Sequence, residues 1–470
     1  MVTIKSNSAD LQNDLQDLVN LFYGNDKEFE INHEELVVGE SYYNRFFVEL
    51  SDKTLEKNYE NIISSSFNDL KRKSLRKRYS KVALYDFLSK KENRTLPWGS
   101  LTGIRPTKLA RDLIESGESK DYTISEFLVN EYRVSEAKAK LIPRILKNQK
   151  CIIKNDNLVD FYVNIPICPT RCNYCSFISH EIERVKDKVD NYIDCVIKEI
   201  NAVKEIVRKR AYIVRTVYIG GGTPSVLTPA QLERLLKEIS FPVNEFTVEC
   251  GRPDTITREK LAVLKARGVT RISINPQTFC ESTLKRIGRK HKISDVLSAY
   301  ELALEFGFNV NMDLIAGLPG ERPATFKRSI DTILELCPDN ITLHTLSVKN
   351  GSLLKDGKED LSAKYLPKML DEAEGRLISA GYKPYYLYRQ KHQLGGLENV
   401  GFFRDDSICI FNVDSMEETS SIIAVGAGAI SKRVFNLENR IEREANNKFI
   451  DDYIAHIEEM IERKKKLFDN

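Results

Sequence analysis

The sequence feature that most restricts the possible folds of this chain lies between residues 158 and 347. There, short apolar segments alternate regularly with helical segments. The apolar segments read VDFYVNIPI, TVYIGG, EFTVECG, RISINPQ, NVNMDLIAG and NITLHTLS, and a helical pattern follows each except the last. Between Lys186 and Lys209, for example, apolar residues recur with a period of about 3.6. A parallel pair of strands needs a crossover longer than a hairpin, so this alternation predicts six parallel strands. Functional residues are expected at their carboxyl ends.

Three of the nine cysteines are clustered, and they directly follow the first predicted strand. Cys168, Cys172 and Cys175 lie within NIPICPTRCNYCSF, whereas the other six stand alone in apolar or strand-like surroundings. In a reducing compartment such a cluster indicates a metal or cofactor site instead of disulfides. A closed zinc site needs four ligands, and His180 is the only local candidate for the fourth. Three thiolates on a four-iron, four-sulfur cluster instead leave one iron open to a substrate or cofactor.

Composition restricts the class of protein and its partners. The 470 residues are 41% hydrophobic, and 71 basic against 68 acidic side chains leave a formal charge of +3. This balance gives no global electrostatic reason to expect nucleic acid or a membrane as the main partner. The N-terminal segment lacks the apolar core of a signal peptide, and the longest apolar stretch, IIAVGAGAI, is well short of the ~20 residues that span a bilayer. We therefore expect a cytoplasmic protein.

Glycines and polar residues stand at the predicted carboxyl ends of the later strands. The segment YIGGGTPS ends the second strand, and the missing Cβ atoms there let backbone groups approach a ligand closely. Four polar residues lie at or just beyond the ends of the third to fifth strands: Glu249, Gln277, Arg289 and Asp313. One such residue is more often a cap or a solvated group, but four in order favour a binding site.

The cysteine spacing, on a loop after the first strand of a parallel βα series, resembles the radical SAM superfamily. Together with YIGGGTPSVL, SINPQTF, MDLIAGLPG and GAGAISK, it is similar to the oxygen-independent coproporphyrinogen III oxidase (HemN-like) family over residues 158–435. The segment LPWGSLTGIRPTK resembles the HemZ branch of that family. The resemblance implies an α/β fold with a partial (β/α)6, TIM-like radical SAM barrel. The implied domains are an N-terminal α+β accessory domain (1–150), the radical SAM core (155–350) and a mixed C-terminal HemN-like domain (351–470).

The resemblance also implies two cofactors, a [4Fe–4S] cluster and S-adenosylmethionine, and roles for individual residues. The cluster ligands would be Cys168, Cys172 and Cys175, which share the catalytic role with Tyr162, a tyrosine near the cofactor. The residues implied at the methionine end of the cofactor are Gly221, Gly222, Thr223, Glu249 and Arg289. Those implied at its adenosine end are Tyr174, Phe177, Gln277, Asp313 and Ile315. Arg289 would pair with the carboxylate of the methionine portion.

The implied function is oxidative decarboxylation of coproporphyrinogen III to protoporphyrinogen IX, with flavodoxin or ferredoxin as an electron donor. Two departures from the oxidase concern the substrate step. The oxidase has a histidine at the position of Asn164 and a further cysteine at the position of Phe177. These changes leave the radical-generating residues intact, so the reaction on the tetrapyrrole is the open part of the prediction.

Two other functions are compatible with the same scaffold. One is a heme-binding carrier, although the C-terminal histidine-asparagine-aromatic-tryptophan segment of such carriers has no counterpart in YRQKHQLGGLENVGFF. We interpret His392 in that segment as a surface histidine. The other is a different radical reaction on a tetrapyrrole, such as methyl transfer or ring opening.

The basic run KRKSLRKR, residues 71–78, is interpreted first as a solvated helix face.

Overall fold

The computed structural model describes residues 2–23, 28–49, 54–103, 105–117, 123–177, 179–348, 352–355, 364–390 and 393–469. Contacts divide the chain into two compact units. The N-terminal unit comprises residues 1–146 and 389–397, and the core unit comprises residues 147–388 and 398–470. The sequence boundary expected near residue 350 therefore stays a prediction.

The N-terminal unit contains a four-stranded sheet in which the first strand is parallel to the second and the others are antiparallel. Its strands are β1 (Thr3–Ser6), β2 (Glu30–Val38), β3 (Ser41–Glu49) and β4 (Thr54–Ile62). The helices that begin in it are α1 (Ala9–Tyr23), α2 (Asp69–Glu92), α3 (Pro106–Glu115), α4 (Ile124–Tyr132) and α5 (Glu136–Asn148). In α1, Leu11, Leu15 and Leu18 fall on one helical face and are fully buried in the core of this unit.

The segment LPWGSLTGIRPTK is built around a buried tryptophan. Trp98 is 1% exposed, and the guanidinium of Arg389 lies 5.4 Å from the centroid of its ring. Arg389 also donates a hydrogen bond to the backbone carbonyl of Leu101. Arg389 is thus packed into this unit although it lies far away in the sequence, and the indole serves packing.

The core unit contains most of the strands and helices. Its strands are β5 (Leu158–Ile165), β6 (Ile167–Cys168), β7 (His180–Glu181), β8 (Ile213–Gly221), β9 (Glu245–Glu249), β10 (Arg271–Ser273), β11 (Asn309–Ala316), β12 (Asn340–Thr345), β13 (Lys383–Tyr388), β14 (Asn399–Phe403), β15 (Ser421–Val425), β16 (Ile430–Phe435) and β17 (Arg440–Ala445). Its helices are α6 (Ile182–Val185), α7 (Val189–Arg210), α8 (Pro229–Lys237), α9 (Arg258–Ala266), α10 (Glu281–Arg286), α11 (Ile293–Glu305), α12 (Pro323–Leu336), α13 (Leu366–Ser379), α14 (Ile410–Glu417), α15 (Ile450–Ala455) and α16 (Ile457–Asp469). No helix within the described ranges is long and apolar enough to cross a membrane.

The six predicted strands are present and run parallel in chain order, as β5 and β8 to β12. They belong to an open eleven-stranded sheet, so the predicted partial barrel is confirmed. Both edges are extended by strands from the last third of the chain. β15 pairs in parallel with β5 and is followed by β16 and β17, whereas β14 and β13 continue antiparallel beyond β12.

The six parallel strands have one apolar and one polar face, because successive side chains point to opposite faces of a sheet. Fully buried aliphatic residues occupy the apolar face: Val163, Val217, Val248, Ile272, Val310 and Ile341. The opposite face, called the polar face below, carries Asp160, Tyr162, Asn164, Thr216, Tyr218, Thr247, Glu249, Ser273, Asn311, Asp313, Thr342 and His344. Chemistry-bearing side chains therefore lie on one side of the sheet.

Candidate functional site

The three clustered cysteines lie close together on the loop that follows β5. Cys168 ends β6, and the hydroxyl of Thr223 lies 3.6 Å from its sulfur. The amide of Cys175 donates a 3.0 Å hydrogen bond to the carbonyl of Cys172, so these two share one turn. Burial raises the pKa of Cys175 to about 11, and the neighbouring thiols of Cys172 and Cys168 also raise it. The loop thus gathers three thiols beside the strand end that carries Thr223.

Three thiolates from one loop are a donor set that suits an iron–sulfur cluster. Among the described residues, no three His, Cys, Asp or Glu side chains converge as the ligands of one ion. His180, the expected fourth ligand of a zinc site, instead packs with its ring 6.2 Å from that of Phe449. Three thiolates that hold a four-iron cluster bind three separate irons and need not converge. The donor set is therefore compatible with a [4Fe–4S] cluster that has one open iron.

Neighbouring elements fix the cysteine loop in place. The backbone amide of Asn173 donates a 3.0 Å hydrogen bond to the carbonyl of Ile287. The side-chain amide of the same residue donates to the carbonyl of Arg286 at 2.9 Å. From the other side, Arg252 donates a 3.0 Å hydrogen bond to the hydroxyl of Thr170. The end of α10 and the segment after β9 therefore determine the shape of the loop.

The glycine segment at the end of β8 approaches the cysteine loop through its backbone. The amide of Gly222 donates to the carbonyl of Ile165, and that of Thr223 to the carbonyl of Ile167, both at 2.8 Å. A Cβ atom on Gly222 would lie 2.6 Å from the carbonyl oxygen of Ile167. Gly221 has a φ of +111°, which residues with side chains rarely adopt. Glycine is thus required at both positions by this close approach.

Glu249, at the end of β9, meets two tyrosines beside Gly220. Its carboxylate accepts a 2.7 Å hydrogen bond from the hydroxyl of Tyr218. A Cβ atom on Gly220 would lie 3.1 Å from Oε2 of Glu249 and 3.2 Å from the hydroxyl oxygen of Tyr162. Burial raises the pKa of Glu249 to about 7, with the charge of Asp313 adding to the effect and the Tyr218 hydrogen bond opposing it. This carboxyl group therefore titrates near neutral pH.

We expect the stability of the apoprotein to fall as the pH rises through this range. The folded-state pKa of Glu249, about 7, lies above its ordinary value of 4.5, so folding retains a proton that the unfolded chain releases. The resulting stabilisation is complete below pH 4.5 and is lost by about pH 7, a difference of about 3 kcal/mol. Glu249→Gln should flatten this part of a urea-unfolding profile. The exposed Glu372→Gln should leave the profile unchanged, and an unchanged slope in Glu249→Gln would contradict the assignment.

Gln277 and Asp313 lie on neighbouring strand ends and contact each other through the backbone. Gln277 has a φ of +65°, its amide donates to the carbonyl of Asp313, and its carbonyl accepts from the amide of Ile315, both at 2.9 Å. The side-chain oxygen of Gln277 is buried and has no hydrogen-bond partner within the described ranges. This oxygen is available to a donor from a ligand.

The carboxylate of Asp313 is held on both oxygens. Asn311 donates to Oδ1 at 2.8 Å, and Nε2 of His344 lies 3.5 Å from Oδ2. Burial alone would raise the pKa of Asp313, but the contacts with His344 and Asn311 outweigh it and hold that pKa below its ordinary value. The hydroxyl of Tyr388 lies 3.5 Å from the other ring nitrogen of His344. Asp313 is therefore an oriented anion on the polar face.

Arg289 is buried beside the cysteine loop, with 6% of its surface exposed. It donates to the carbonyls of Asn275 and Gly251, the latter at 2.9 Å, and its Nε has no partner among the described residues. Burial would lower the pKa of Arg289, but the nearby Tyr174 and Cys172 keep it above the ordinary value. The structure thus leaves a buried guanidinium N–H free to meet an anionic group.

The predicted residues therefore gather at the carboxyl ends of β5 and β8 to β11, and their individual roles stay predictions. Phe177, on the cysteine loop, differs from the other predicted residues in that 69% of its surface is exposed. His392 lies outside the described residues. No role followed from the sequence for Tyr218 and His344, which contact Glu249 and Asp313 respectively. The available signal was that Tyr218 stands two residues before Gly220 and therefore on the same face of β8.

Helix α14 adds an aromatic residue that no motif indicated. The ring of Phe411 stacks on Tyr218 at 4.4 Å and on Tyr162 at 5.8 Å between centroids. Tyr162 also donates a 3.0 Å hydrogen bond to the side-chain oxygen of Asn164. Because Phe411 lies about 250 residues from Tyr162, only the folded chain reveals this contact.

Comparison with known proteins agrees with this fold. The profile of the Radical SAM superfamily matches residues 162–333. The structure of the coproporphyrinogen III oxidase HemN from Escherichia coli aligns with a TM-score of 0.53 at 24% identity, over 67% of this chain and 72% of that one. Fold and cysteine loop thus define a radical SAM protein, a class that uses a [4Fe–4S] cluster and S-adenosylmethionine and needs an electron donor and a substrate.

Relatives with higher sequence identity identify the family within the radical SAM superfamily to which the chain belongs. The chain is 38% identical over 397 residues to the oxygen-independent coproporphyrinogen-III oxidase-like protein HemZ of Bacillus subtilis. This alignment covers 79% of each chain. It is 37% identical over 195 residues to the heme chaperone HemW of the same organism, over 40% of this chain and 50% of that one. For HemW of Escherichia coli the identity is 29% over 236 residues, with 48% and 61% covered. The chain belongs to the HemN-like family of radical SAM proteins, in its HemZ branch.

Proposed function

We propose that this protein catalyses the oxygen-independent, oxidative decarboxylation of coproporphyrinogen III to protoporphyrinogen IX in the cytoplasm. The observation that carries the proposal is the meeting of the cysteine loop with Tyr162 and Glu249 beside the glycine segment. The name of the HemZ relative, an oxidase-like protein, and the fold shared with HemN support the same reaction.

In this proposal Cys168, Cys172 and Cys175 hold the cluster. The free N–H of Arg289 binds the carboxylate of the methionine portion, because a charge-assisted hydrogen bond at a buried site is strong. Gly221, Gly222, Thr223 and Glu249 bind the rest of that portion, and Tyr162 lies beside it. The adenosine portion is bound by Tyr174, Phe177, Gln277, Asp313 and Ile315.

The overall reaction balances for each propionate group. The group –CH2–CH2–COO− becomes –CH=CH2 and carbon dioxide by losing one hydrogen atom and one electron. When bound, the cluster and S-adenosylmethionine supply the organic radical that accepts the hydrogen atom. A reduced flavodoxin or ferredoxin provides the starting electron, and a one-electron redox protein accepts the electron that is lost. The polar face orients the propionate so that the intended C–H bond is nearest, since positioning decides which hydrogen reacts.

A heme-carrier function is the alternative that the HemW relatives favour, since they carry the name heme chaperone. Such a protein would bind heme tightly and transfer it to an acceptor protein, and it would need no alignment of a propionate C–H bond. Another radical reaction on a tetrapyrrole would need that alignment but would release no carbon dioxide. The two alternatives therefore differ from decarboxylation in measurable products.

Anaerobic turnover with labelled substrate distinguishes these functions. Coproporphyrinogen III that carries deuterium on the propionate β-carbons should raise the formation of 5′-deoxyadenosine and transfer deuterium into it, because substrate and cofactor must lie in contact. Mass spectrometry should also detect protoporphyrinogen IX and carbon dioxide. Submicromolar heme binding without any label transfer would replace the proposal with the carrier function. Label transfer without carbon dioxide would indicate another radical reaction.

A further inference from the structure

The glycine-rich loop at the end of β15, residues 426–428, contacts the site through Asn164. The side-chain amide of Asn164 donates to the carbonyl of Ala427. The hydroxyl of Tyr192 donates to the backbone carbonyl of Asn164 at 2.6 Å and accepts from the amide of Ala427 at 3.1 Å. Because Tyr162 donates to the side-chain oxygen of Asn164, this one residue connects the loop to the Tyr162 hydroxyl.

The loop lies too close to β5 to accommodate a side chain. Gly426 has a φ of +98°, and a Cβ atom on it would overlap the carbonyl of Asn164 and lie 2.8 Å from the hydroxyl of Tyr192. Because the loop and Asn164 are in close contact, a shift of the loop would also move Asn164 unless other contacts hold the loop in place.

A buried carboxylate behind the loop supplies such contacts. Glu199 of α7 is fully buried and accepts a 2.8 Å hydrogen bond from the amide of Gly426. The hydroxyl of Tyr453 donates to the same carboxylate at 2.6 Å, and the side chain of Asn446 donates to it at 2.9 Å. These three donors converge on one side chain, whose two oxygens have enough acceptor positions for all of them.

The charge of Glu199 is balanced by a lysine of the last helix. Lys464 of α16 is 1% exposed, and its Nζ lies 3.1 Å from Oε1 of Glu199. It also donates to the hydroxyl of Ser431 at 3.1 Å and to the carbonyl of Ala424. Because two charges lose their hydration on burial, such a pair adds little stability compared with apolar residues of the same size. Its contacts with β15, β16 and the loop give it a geometric role instead.

We infer that the Glu199–Lys464 pair is a positioning device for the site: it fixes the loop 426–428, and through Asn164 it fixes the direction of the Tyr162 hydroxyl. Both charged residues are positioning residues, and α16 contributes to the site without approaching the cysteines. The inference deepens the proposed function, since it rests on the proposed place of Tyr162 beside the cofactor.

A fluorine label on Tyr162 tests the inference in the full chain. With 3-fluorotyrosine at position 162, the parent protein should give one 19F resonance, and Lys464→Met should shift or split it because the loop loses its fixed position. S-adenosylmethionine should bind to the reconstituted Lys464→Met protein about tenfold more weakly, with unchanged iron content. Lys198→Met is the matched control, because Lys198 lies next to Glu199 on α7 and pairs with Glu458 of α16 at the surface. It should retain the parent resonance and affinity.

A second variant removes both buried charges and guards against a folding defect. Glu199→Gln/Lys464→Met should fold as the parent does, because no charge remains buried without a partner. It should still shift the 19F resonance, since the contacts of Lys464 with the carbonyl of Ala424 and the hydroxyl of Ser431 are lost. A folded double variant with the parent resonance and affinity would overturn the inference. Failure to decarboxylate coproporphyrinogen would overturn the proposed function alone, because the resonance reports the geometry without turnover.

Discussion

Replacing Cys172 with alanine should remove most of the iron from the reconstituted protein. The parent chain should bind about four irons after anaerobic reconstitution, since the donor set suits a [4Fe–4S] cluster. Cys172 is the buried member of the three thiols, and two remaining thiolates form a poor site for a cluster. Iron analysis and the visible absorption of the cluster measure the loss.

A matched cysteine variant separates this effect from a general loss of reconstitution. Cys195→Ala changes a partly buried thiol on α7, away from the cysteine loop, and should keep the iron of the parent. If Cys172→Ala retained its iron, or if the parent bound zinc in place of iron, the radical SAM chemistry proposed for this chain would be wrong.

Arg289→Ala should keep the iron and weaken S-adenosylmethionine binding by roughly 10- to 100-fold. A hydrogen bond to a charged group contributes about 1.5–3 kcal/mol, and the free Nε–H of Arg289 is buried beside the cysteine loop. The variant separates cofactor affinity from cluster assembly, because no cysteine is altered. Calorimetry on the reconstituted protein measures the dissociation constant.

Two further variants define what the guanidinium contributes. Arg289→Lys retains the charge but loses the planar set of donors, so its affinity should lie between those of the parent and Arg289→Ala. Arg258→Ala removes an exposed arginine that pairs with Glu305 and should bind as the parent does. An unchanged affinity in Arg289→Ala would show that the residue serves only its contacts with Cys172 and with the carbonyls of Gly251 and Asn275.

The part of the fold that could be predicted from the sequence is the part with local signals. The strands β5 and β8 to β12 are short apolar runs between amphipathic helices, and the sequence motifs marked the carboxyl ends of all but β12. The place of β15 could not be predicted in this way. It pairs with β5 across more than 250 residues, and no local pattern in AVGAGAISK specifies that partner.

The candidate site likewise contains residues that local sequence signals identify and contacts that only the folded chain shows. Cys168, Cys172 and Cys175 follow from spacing alone, whereas the contact between Tyr218 and Glu249 requires the register of β8 and β9. Asn164 illustrates the limit most clearly. In the sequence it is a departure from the oxidase, but in the structure both groups of its side chain are engaged, by Ala427 and by Tyr162.

The two faces of the parallel strands have a consequence for how such a protein can change during evolution. Burial of Val163, Val217 and their neighbours on the apolar face provides much of the free energy of folding, at about 1.5–3 kcal/mol for each side chain. Residues of the polar face contribute less to that free energy, so substitutions there can accumulate while the fold persists. A saturation-mutagenesis library should therefore show expression limited by the apolar face and substrate range set by the polar face. One scaffold of this kind can acquire new reactions without first acquiring new stability.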